Sequence, residues 1–292
     1  MEPKKKKVKA DPTGAKRSAS PQKKNSREKR PAEIYEAAPA VQLPSDVVIG
    51  RNAVTEALRS GRSINKILVA QGERQGSIKE VIALAKEKGI ILQETEYRRL
   101  DEIAMGLRHQ GVVAYAAPVD YVELDDILEA AAVKGEPPFL ILLDELEDPH
   151  NLGAILRTAD AAGVHGVLIP KRRSCPLSAT VAKTSAGAVE YVPVARIGNV
   201  AQTIKLLKEK NMWVVGADMD GDKEYYEADL TGALVLVVGS EGRGISRLAK
   251  EHCDFLVRLP MNGHINSLNA SVASSILMYE SVKQRRCQQQ SN

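Results

Sequence analysis

The chain has 292 residues, of which 43% are hydrophobic and 27% charged, so it has enough apolar side chains for a buried globular core. No stretch approaches the ~18–20 apolar residues that cross a bilayer, and no apolar segment follows the lysine-rich start. We therefore expect neither a membrane protein nor a secretory signal peptide. The three cysteines form no Cys-x-x-Cys pair and have no histidine cluster beside them. A disulfide framework and a metal site are not expected, and a cytoplasmic location is.

The charge is distributed unevenly along the chain. Residues 1–45 hold twelve Lys/Arg and five Asp/Glu, a net charge of +7, whereas the remaining 29 Lys/Arg and 32 Asp/Glu give −3. This segment has almost no large apolar residues, so we predict a disordered basic tail. We favour an RNA-binding arm. A solubilising extension and a nuclear localisation signal at residues 3–9 are the alternatives.

Residues 46–118 predict a small α/β domain. Their apolar periodicity indicates three helices and three strands, in the order helix 52–58, strand 64–70, helix 77–88, strand 90–93, helix 98–105 and strand 111–117. Residues 119–137 contain a short acidic helix and lead into a proline pair, so we place a linker there.

Residues 138–286 predict a second, larger domain in which strands and helices alternate. Strands are predicted at 139–143, 164–170, 189–194, 213–218, 234–239 and 255–260. Between and after them, helices are predicted around 152–159 and at 178–187, 200–210, 246–253 and 268–285. This alternation is typical of a parallel sheet that is covered by helices on both faces.

Three polar, glycine-rich loops of this domain, at 148–157, 239–246 and 260–269, join strand ends to helices, where open parallel sheets bind ligands. Neither a P-loop nor a dinucleotide-binding glycine pattern is present. Taken singly, each loop residue also has an ordinary structural interpretation. Asn151 could be a helix N-cap, and Arg157 a solvated helix residue.

The loop sequences are Asn151-Leu-Gly-Ala-Ile-Leu-Arg157, Leu236-Val-Val-Gly-Ser-Glu-Gly-Arg-Gly244, and Leu259-Pro-Met followed by Ser267-Leu-Asn-Ala-Ser-Val-Ala273. In this order they resemble the signature motifs of the SPOUT superfamily, in its SpoU/TrmH branch of RNA ribose 2′-O-methyltransferases. Two further segments are Val48-Ile-Gly-Arg-Asn-Ala-Val54 and His109-Gln-Gly-Val112. These resemble the small ribosomal-protein-like, RNA-binding domain of the RlmB-type members.

The resemblance implies a parallel-sheet SPOUT domain with a deep trefoil knot, although knots are rare in proteins generally. It implies S-adenosylmethionine as the cofactor, no metal, and a homodimer formed through the C-terminal domain. The cofactor would be held largely by main-chain atoms at five positions, which are Gly239, Ile245, Leu259, Met261 and Leu268.

The resemblance also assigns catalytic roles. Arg157 would activate the ribose 2′-hydroxyl, Asn151 and Glu241 would orient Arg157, and Ser267 and Asn269 would hold the ribose or phosphate. Because the pKa of arginine exceeds ~12, we favour a cation that stabilises a developing alkoxide over a literal base. Proton loss at the cofactor sulfonium is an alternative.

Closeness to RlmB-type enzymes would make the substrate a guanosine of large-subunit rRNA. A tRNA ribose methyltransferase is one alternative, and the additional N-terminal domain argues for rRNA. A catalytically silent RNA-binding or ribosome-assembly protein is another, and the presence of both Arg157 and Asn269 argues against it.

Overall fold

The computed structural model describes residues 46–73 and 75–291, and the predicted basic tail at residues 1–45 lies outside the described residues. Two sheets organise this part of the chain, one with four strands and one with seven. Within these same residues, no helix combines the length and the apolar character needed to cross a bilayer.

The four-stranded sheet belongs to the N-terminal unit. The elements of this unit are β1 (Val47–Ile49), α1 (Arg51–Arg59), β2 (Ile64–Ala70), α2 (Ile78–Glu87), β3 (Ile91–Thr95), α3 (Tyr97–Ala104) and β4 (Val112–Ala116). The strand order is β1-β4-β2-β3, and only β2 and β3 run parallel. Side chains alternate along β2 as predicted, because Ile67 and Val69 pack under α1 and α2 while Leu68 packs near α3.

The segment predicted as a linker packs against the second sheet. It contains α4 (Leu124–Val133), whose acidic N-terminus forms a capping box. Ile127 of this helix is buried over Gly166, where a Cβ would lie 2.6 Å from the Ile127 side chain. The Val122 amide donates a 3.0 Å hydrogen bond to the Val194 carbonyl. The two prolines therefore end a docked segment rather than a free connector.

The seven-stranded sheet is parallel throughout, as predicted. Its unit contains β5 (Phe139–Asp144), α5 (Pro149–Ala161), β6 (Gly166–Pro170), α6 (Ala179–Thr184), β7 (Val194–Ile197), α7 (Val200–Glu209), β8 (Trp213–Ala217), β9 (Lys223–Glu224), β10 (Leu234–Gly239), α8 (Arg247–His252), β11 (Phe255–Arg258) and α9 (Ala270–Ser291). The strand order is β7-β6-β5-β10-β8-β11-β9. The central strands β5 and β10 are buried along their whole length, with α5, α6 and α9 on one face and α4, α7 and α8 on the other.

The prediction of a strand at 189–194 is wrong. After Gly187, whose φ is +96°, residues Ala188–Glu190 form a 3₁₀ turn, and the strand is β7, from Val194 to Ile197. Val189 and Val192 pack in the core beside α5, so their apolar character reflects helix packing and not a sheet. Strands β1 and β9 were not predicted, because two or three residues are too few to show a period.

The N-terminal unit docks on the 3₁₀ turn of the larger unit through paired polar groups. Arg62 and Glu190 form a 2.8 Å ion pair in which the side chains are only 8% and 5% exposed. The Tyr191 hydroxyl donates a 2.7 Å hydrogen bond to Glu56, and this bond raises the pKa of Tyr191 to about 12. Separating the partners of a buried ion pair leaves an uncompensated charge, which is costly. These contacts therefore favour one arrangement of the two units.

Candidate active site

The three motif loops meet at the carboxyl edge of the large sheet. Strands β5 and β10 are neighbours, and Asp144 at the end of one pairs with Gly239 at the end of the other. The buried Asp144 carboxylate accepts a 2.8 Å hydrogen bond from the Ser246 amide, which holds the glycine-rich loop over the end of β5. The third loop returns from β11 to the start of α9, which packs on α5.

Three predicted site residues, one from each loop, form a hydrogen-bonded network. The Asn151 amide donates to Glu241 Oε1 over 3.0 Å, and the Asn269 amide donates to Asn151 Oδ1 over 2.8 Å. The Asn269 amide also contacts Glu241 Oε1. Segments that are 118 residues apart in the chain therefore converge on one carboxylate, and the structure brings these three predicted residues together.

Helix caps determine how two of these side chains are presented. Asp148, not Asn151, is the N-cap of α5, since its carboxylate accepts a 2.9 Å hydrogen bond from the His150 amide. Asn151 is thus free to face Glu241 from the first turn. Asn269 Oδ1 accepts from the amides of Ser271 and Val272 and so caps α9.

Arg157 lies further along α5 and is exposed. Within the part of the chain that the structure describes, its guanidinium has no hydrogen bond or ion pair. The hydrogen bonds predicted from Asn151 and Glu241 to Arg157 are therefore not present, because the two side chains bind each other and Asn269 instead. Ser267 is also exposed and likewise makes no hydrogen bond to a described residue. Both side chains are open to a ligand.

A cavity of about 440 Å³ lies beside the network. Four of the five residues predicted to bind the cofactor line it, namely Gly239, Leu259, Met261 and Leu268. Ser267 and Glu241 are at its rim, and Val238, Val257, Ala270 and Ala273 supply apolar walls. The Ile245 side chain lies outside the cavity and packs in the core under α7 and α8, so its predicted contact could involve only its main chain.

Comparisons with known proteins agree with this arrangement. The SpoU rRNA methylase family model matches residues 138–279, and a model for the substrate-binding domain of RNA 2′-O ribose methyltransferases matches residues 47–122. Over 240 residues the chain is 52% identical to Bacillus subtilis YacO, a protein assigned to the TrmH family of tRNA/rRNA methyltransferases. That alignment covers 82% of this chain and 96% of YacO.

The chain belongs to the SpoU/TrmH family of RNA methyltransferases. It is accordingly an S-adenosylmethionine-dependent RNA 2′-O-methyltransferase.

Solved SpoU/TrmH structures share the fold. An AdoMet-bound rRNA methyltransferase from Sinorhizobium meliloti superposes with a TM-score of 0.66 at 26% identity, over 81% of this chain and 86% of that one. The SpoU methyltransferase AviRb from Streptomyces viridochromogenes, in complex with AdoMet, gives a TM-score of 0.68 at 24% identity, over 82% and 90% of the two chains. At that identity, the likeness to AviRb concerns the fold alone.

The sequence interpretation missed two charged residues of this SpoU/TrmH site. Asp218 follows β8 and forms a 2.6 Å ion pair with Lys250, and both side chains line the cavity. The Asp218 side chain is only 6% exposed. Asp218 ends the strand predicted at 213–218, at the same sheet edge as the three motif loops, and this position was the available signal.

Two of the three cysteines of this SpoU/TrmH enzyme, Cys175 and Cys253, are not placed for nucleophilic chemistry. Burial raises the pKa values of Cys175 and Cys253 to about 12, so both thiols are protonated at neutral pH. In residues 46–73 and 75–291, no three His, Cys, Asp or Glu side chains come close enough to hold a metal ion.

The network predicts different consequences for two substitutions of Glu241. In Glu241→Ala the amides of Asn151 and Asn269 lose their shared acceptor, and we expect methyl transfer to fall by about tenfold to a hundredfold, since charge-assisted hydrogen bonds contribute ~1.5–3 kcal/mol. In Glu241→Gln an amide oxygen can still accept, so the loss should be several times smaller. Initial rates with labelled S-adenosylmethionine at saturating RNA would measure both. Equal losses would contradict an orienting role for Glu241.

Proposed function

We propose that the enzyme transfers a methyl group from S-adenosylmethionine to the 2′-hydroxyl of a guanosine in large-subunit rRNA. The observation that carries this proposal is the Asn151–Glu241–Asn269 network, in which Glu241 lines the cavity and Asn151 belongs to α5, the helix that also carries the exposed Arg157. The N-terminal unit supports an RNA substrate, because it matches a substrate-binding domain of RNA 2′-O ribose methyltransferases.

The cavity fits S-adenosylmethionine. Ligand pockets of this kind have volumes of ~300–1,000 Å³ and mostly apolar walls, and the cavity of about 440 Å³ has such walls in Val238, Val257 and Leu259. Gly239 and Leu268, whose main chains the family resemblance assigns to the cofactor, both line this cavity. The bound cofactor supplies an activated methyl group on a sulfonium. Asp218 could accept hydrogen bonds from the hydroxyl or ammonium groups of the cofactor.

Arg157 is proposed to act on the RNA. Its guanidinium is exposed and forms no ion pair with a described residue, so it can bind a phosphate and stabilise the negative charge that develops on the 2′-oxygen. Ser267 and Asn269, at the start of α9, are proposed to hold the ribose or the adjacent phosphate. A helix N-terminus favours such an anion because its free amides carry partial positive charge.

We further propose that the C-terminal part of the chain is knotted, as the family resemblance implies. The support is that the last two strand-end loops, 239–246 and 259–269, line the same cavity. Within the first of them, the main chain of Gly239 lies directly against that of Gly244 and Ile245. A knot would hold these loops in place without needing side-chain contacts between them.

A homodimer through α9 is part of the same proposal. Leu277 and Met278 of this helix are buried in the core, whereas Val272 and Tyr279 on another side are 46% and 52% exposed. These exposed apolar positions fit the interface that the family resemblance implies. Ala273 and Ile276, which the sequence pattern of this helix places on the same side as Val272 and Tyr279, are half-buried.

Replacing Tyr279 by Glu should therefore dissociate the dimer without unfolding the subunit. A charge in the middle of an apolar interface is costly, whereas at this exposed position it should leave the subunit core undisturbed. Light scattering at micromolar concentration should report a dimer for the wild type and a monomer for Tyr279→Glu. Leu206→Glu, an exposed apolar position of α7 on the opposite face of the sheet, is the matched control and should remain dimeric. A monomeric wild type would contradict the proposal.

In vitro methylation tests the substrate assignment. Purified enzyme, labelled S-adenosylmethionine and deproteinised large-subunit rRNA should yield 2′-O-methylguanosine after complete nuclease digestion. The same reaction with bulk tRNA is the comparison. Methylation of tRNA in preference to rRNA would overturn the rRNA assignment and leave the reaction type standing, and transfer to a base would overturn the reaction type.

A further inference from the structure

The two N-terminal segments that resemble the family, residues 48–54 and 109–112, are hydrogen-bonded to each other where the N-terminal unit contacts the methyltransferase unit. The Arg51 amide donates to the Gln110 side-chain oxygen over 3.2 Å, and the Arg51 guanidinium donates to the Gln110 carbonyl over 2.8 Å. Both loops need the left-handed backbone, with φ of +95° at Gly50 and +54° at Gln110. A positive φ is costly for a residue such as Gln110, and this cost indicates a functional constraint on the position of this surface.

A lysine of the methyltransferase unit reaches into this surface. Lys183 belongs to α6, and its ammonium group contacts the Arg108 carbonyl of the N-terminal unit. A Cβ built on Gly50 would lie 3.1 Å from Lys183 Nζ and 3.3 Å from Gln110 Oε1. The amine is therefore close to Gly50, where the positive φ favours glycine and a larger residue would push against the lysine. We call Gly50, Arg108, Gln110 and Lys183 the junction cluster.

The junction cluster carries positive charge that no described carboxylate neutralises. Neither Lys183 nor Arg108 forms an ion pair in residues 46–73 and 75–291, although nearby contacts between the same two units are paired, as in Arg62 with Glu190. Burial and the neighbouring charge of Arg108 hold the pKa of Lys183 below its ordinary value. Two adjacent cations without a counter-charge are unfavourable in the free protein and become favourable when an anion binds.

The junction cluster is connected to the active site through packed helices. Thr184, the residue after Lys183, donates a 3.2 Å hydrogen bond to the Pro149 carbonyl at the start of α5. A Cβ on Gly153 of α5 would lie 1.9 Å from Thr184 Oγ1, so α5 and α6 are in close contact. Helix α5 carries both Asn151 and Arg157. An RNA strand bound at Lys183 would therefore have a fixed position relative to α5, the helix that carries the proposed catalytic groups.

We propose that the junction cluster is a phosphate-binding site for the substrate RNA, formed jointly by both units. This inference rests on the proposed function, because it assumes an RNA substrate. The Lys183 ammonium has three donors and uses one on the Arg108 carbonyl, and the exposed Arg108 guanidinium makes no hydrogen bond or ion pair with a described residue. Both cations can therefore donate to backbone phosphates. The site spans the two units so that RNA bound by the N-terminal unit is aligned with α5.

Salt-dependent RNA binding tests the junction cluster. The probe is a fluorescent transcript of the peptidyl-transferase region of large-subunit rRNA, measured by anisotropy over a salt series. We expect Arg108→Gln and Lys183→Gln each to weaken binding by about tenfold and to reduce the log–log salt slope by ~0.7–0.9, the change for one lost phosphate contact. Arg108→Lys should retain most of the affinity because it keeps the charge.

The matched control is Lys205→Gln. Lys205 is an exposed cation of α7 without a described ion pair, on the opposite face of the sheet from α6, and its loss should leave affinity and slope unchanged. Thermal unfolding and titration with S-adenosylhomocysteine establish that each variant is folded. Because the Arg108 side chain makes no hydrogen bond or ion pair with a described residue, Arg108→Gln reports on RNA even if Lys183→Gln loosens the contact between the units.

Two results would overturn the proposal. Wild-type affinity and slope in a folded Arg108→Gln variant would show that the junction cluster only joins the two units, and the proposed function would stand. Failure of the wild-type enzyme to bind this transcript or to methylate any RNA would overturn the proposed function and the junction cluster together.

Discussion

Arg157→Ala should abolish methyl transfer while leaving the protein folded and able to bind its cofactor. Arg157 is exposed on α5 and makes no contact with a described polar group, so its loss should change the free energy of unfolding by less than ~0.5 kcal/mol. Its proposed role is to stabilise charge on the 2′-oxygen, and removal of one such donor lowers turnover by ~10²–10³-fold. Single-turnover methylation, thermal unfolding and calorimetry with S-adenosylhomocysteine would measure the three quantities separately.

Arg157→Lys is the informative companion variant. Lysine keeps the charge but cannot form the two parallel hydrogen bonds that a guanidinium makes to a phosphate. We expect it to recover less than a tenth of wild-type turnover. Substantial turnover by either variant would show that Arg157 is not the activating residue, and activation would then have to come from the cofactor side of the site.

Gly239→Ala should disrupt the glycine-rich loop. A Cβ at this position would lie 1.9 Å from the carbonyl carbon of Gly244 and 2.2 Å from the amide nitrogen of Ile245, and backbone cannot move aside as a side chain can. We expect the free energy of unfolding to fall by more than about 3 kcal/mol, together with a large loss of cofactor affinity. Denaturant unfolding and titration with S-adenosylhomocysteine would measure the two effects.

Gly198→Ala is the matched control for Gly239→Ala. Gly198 precedes α7, has nothing within 4 Å of a built Cβ and does not have a positive φ, so alanine should be tolerated there. Wild-type stability in Gly239→Ala would contradict the close packing of the loop on the end of β10. The family resemblance assigns Gly239 to the cofactor, and the structure adds that the loop itself needs this glycine.

The architecture and the core of the site could be predicted from the sequence because their signals are local. Buried parallel strands such as 234–239 form continuous apolar runs, and polar residues that follow such strands gather at one sheet edge. That placement alone is enough to bring Asn151, Glu241 and Asn269 together. The prediction of a strand at 189–194 was wrong because an apolar run that packs on a helix has the same composition as a buried strand.

Several site features could not be predicted because they depend on which of several competing groups forms a given hydrogen bond. Asn269 caps α9 and leaves Ser267 free, a choice set by backbone geometry at the helix start. The Glu241 carboxylate binds two amides and leaves Arg157 exposed, a competition that no motif encodes. The contact of Lys183 with the N-terminal unit joins segments 75 residues apart, and no sequence period marks it.

The most direct test of the function is nucleotide-resolution mapping of 2′-O-methylation in large-subunit rRNA from cells with and without this protein. We expect one guanosine to lose its methyl group when the protein is absent. The wild-type gene should restore the modification, and Arg157→Ala should not, although the variant accumulates to the same level. An unchanged rRNA profile in the cells without the protein would contradict the proposed function.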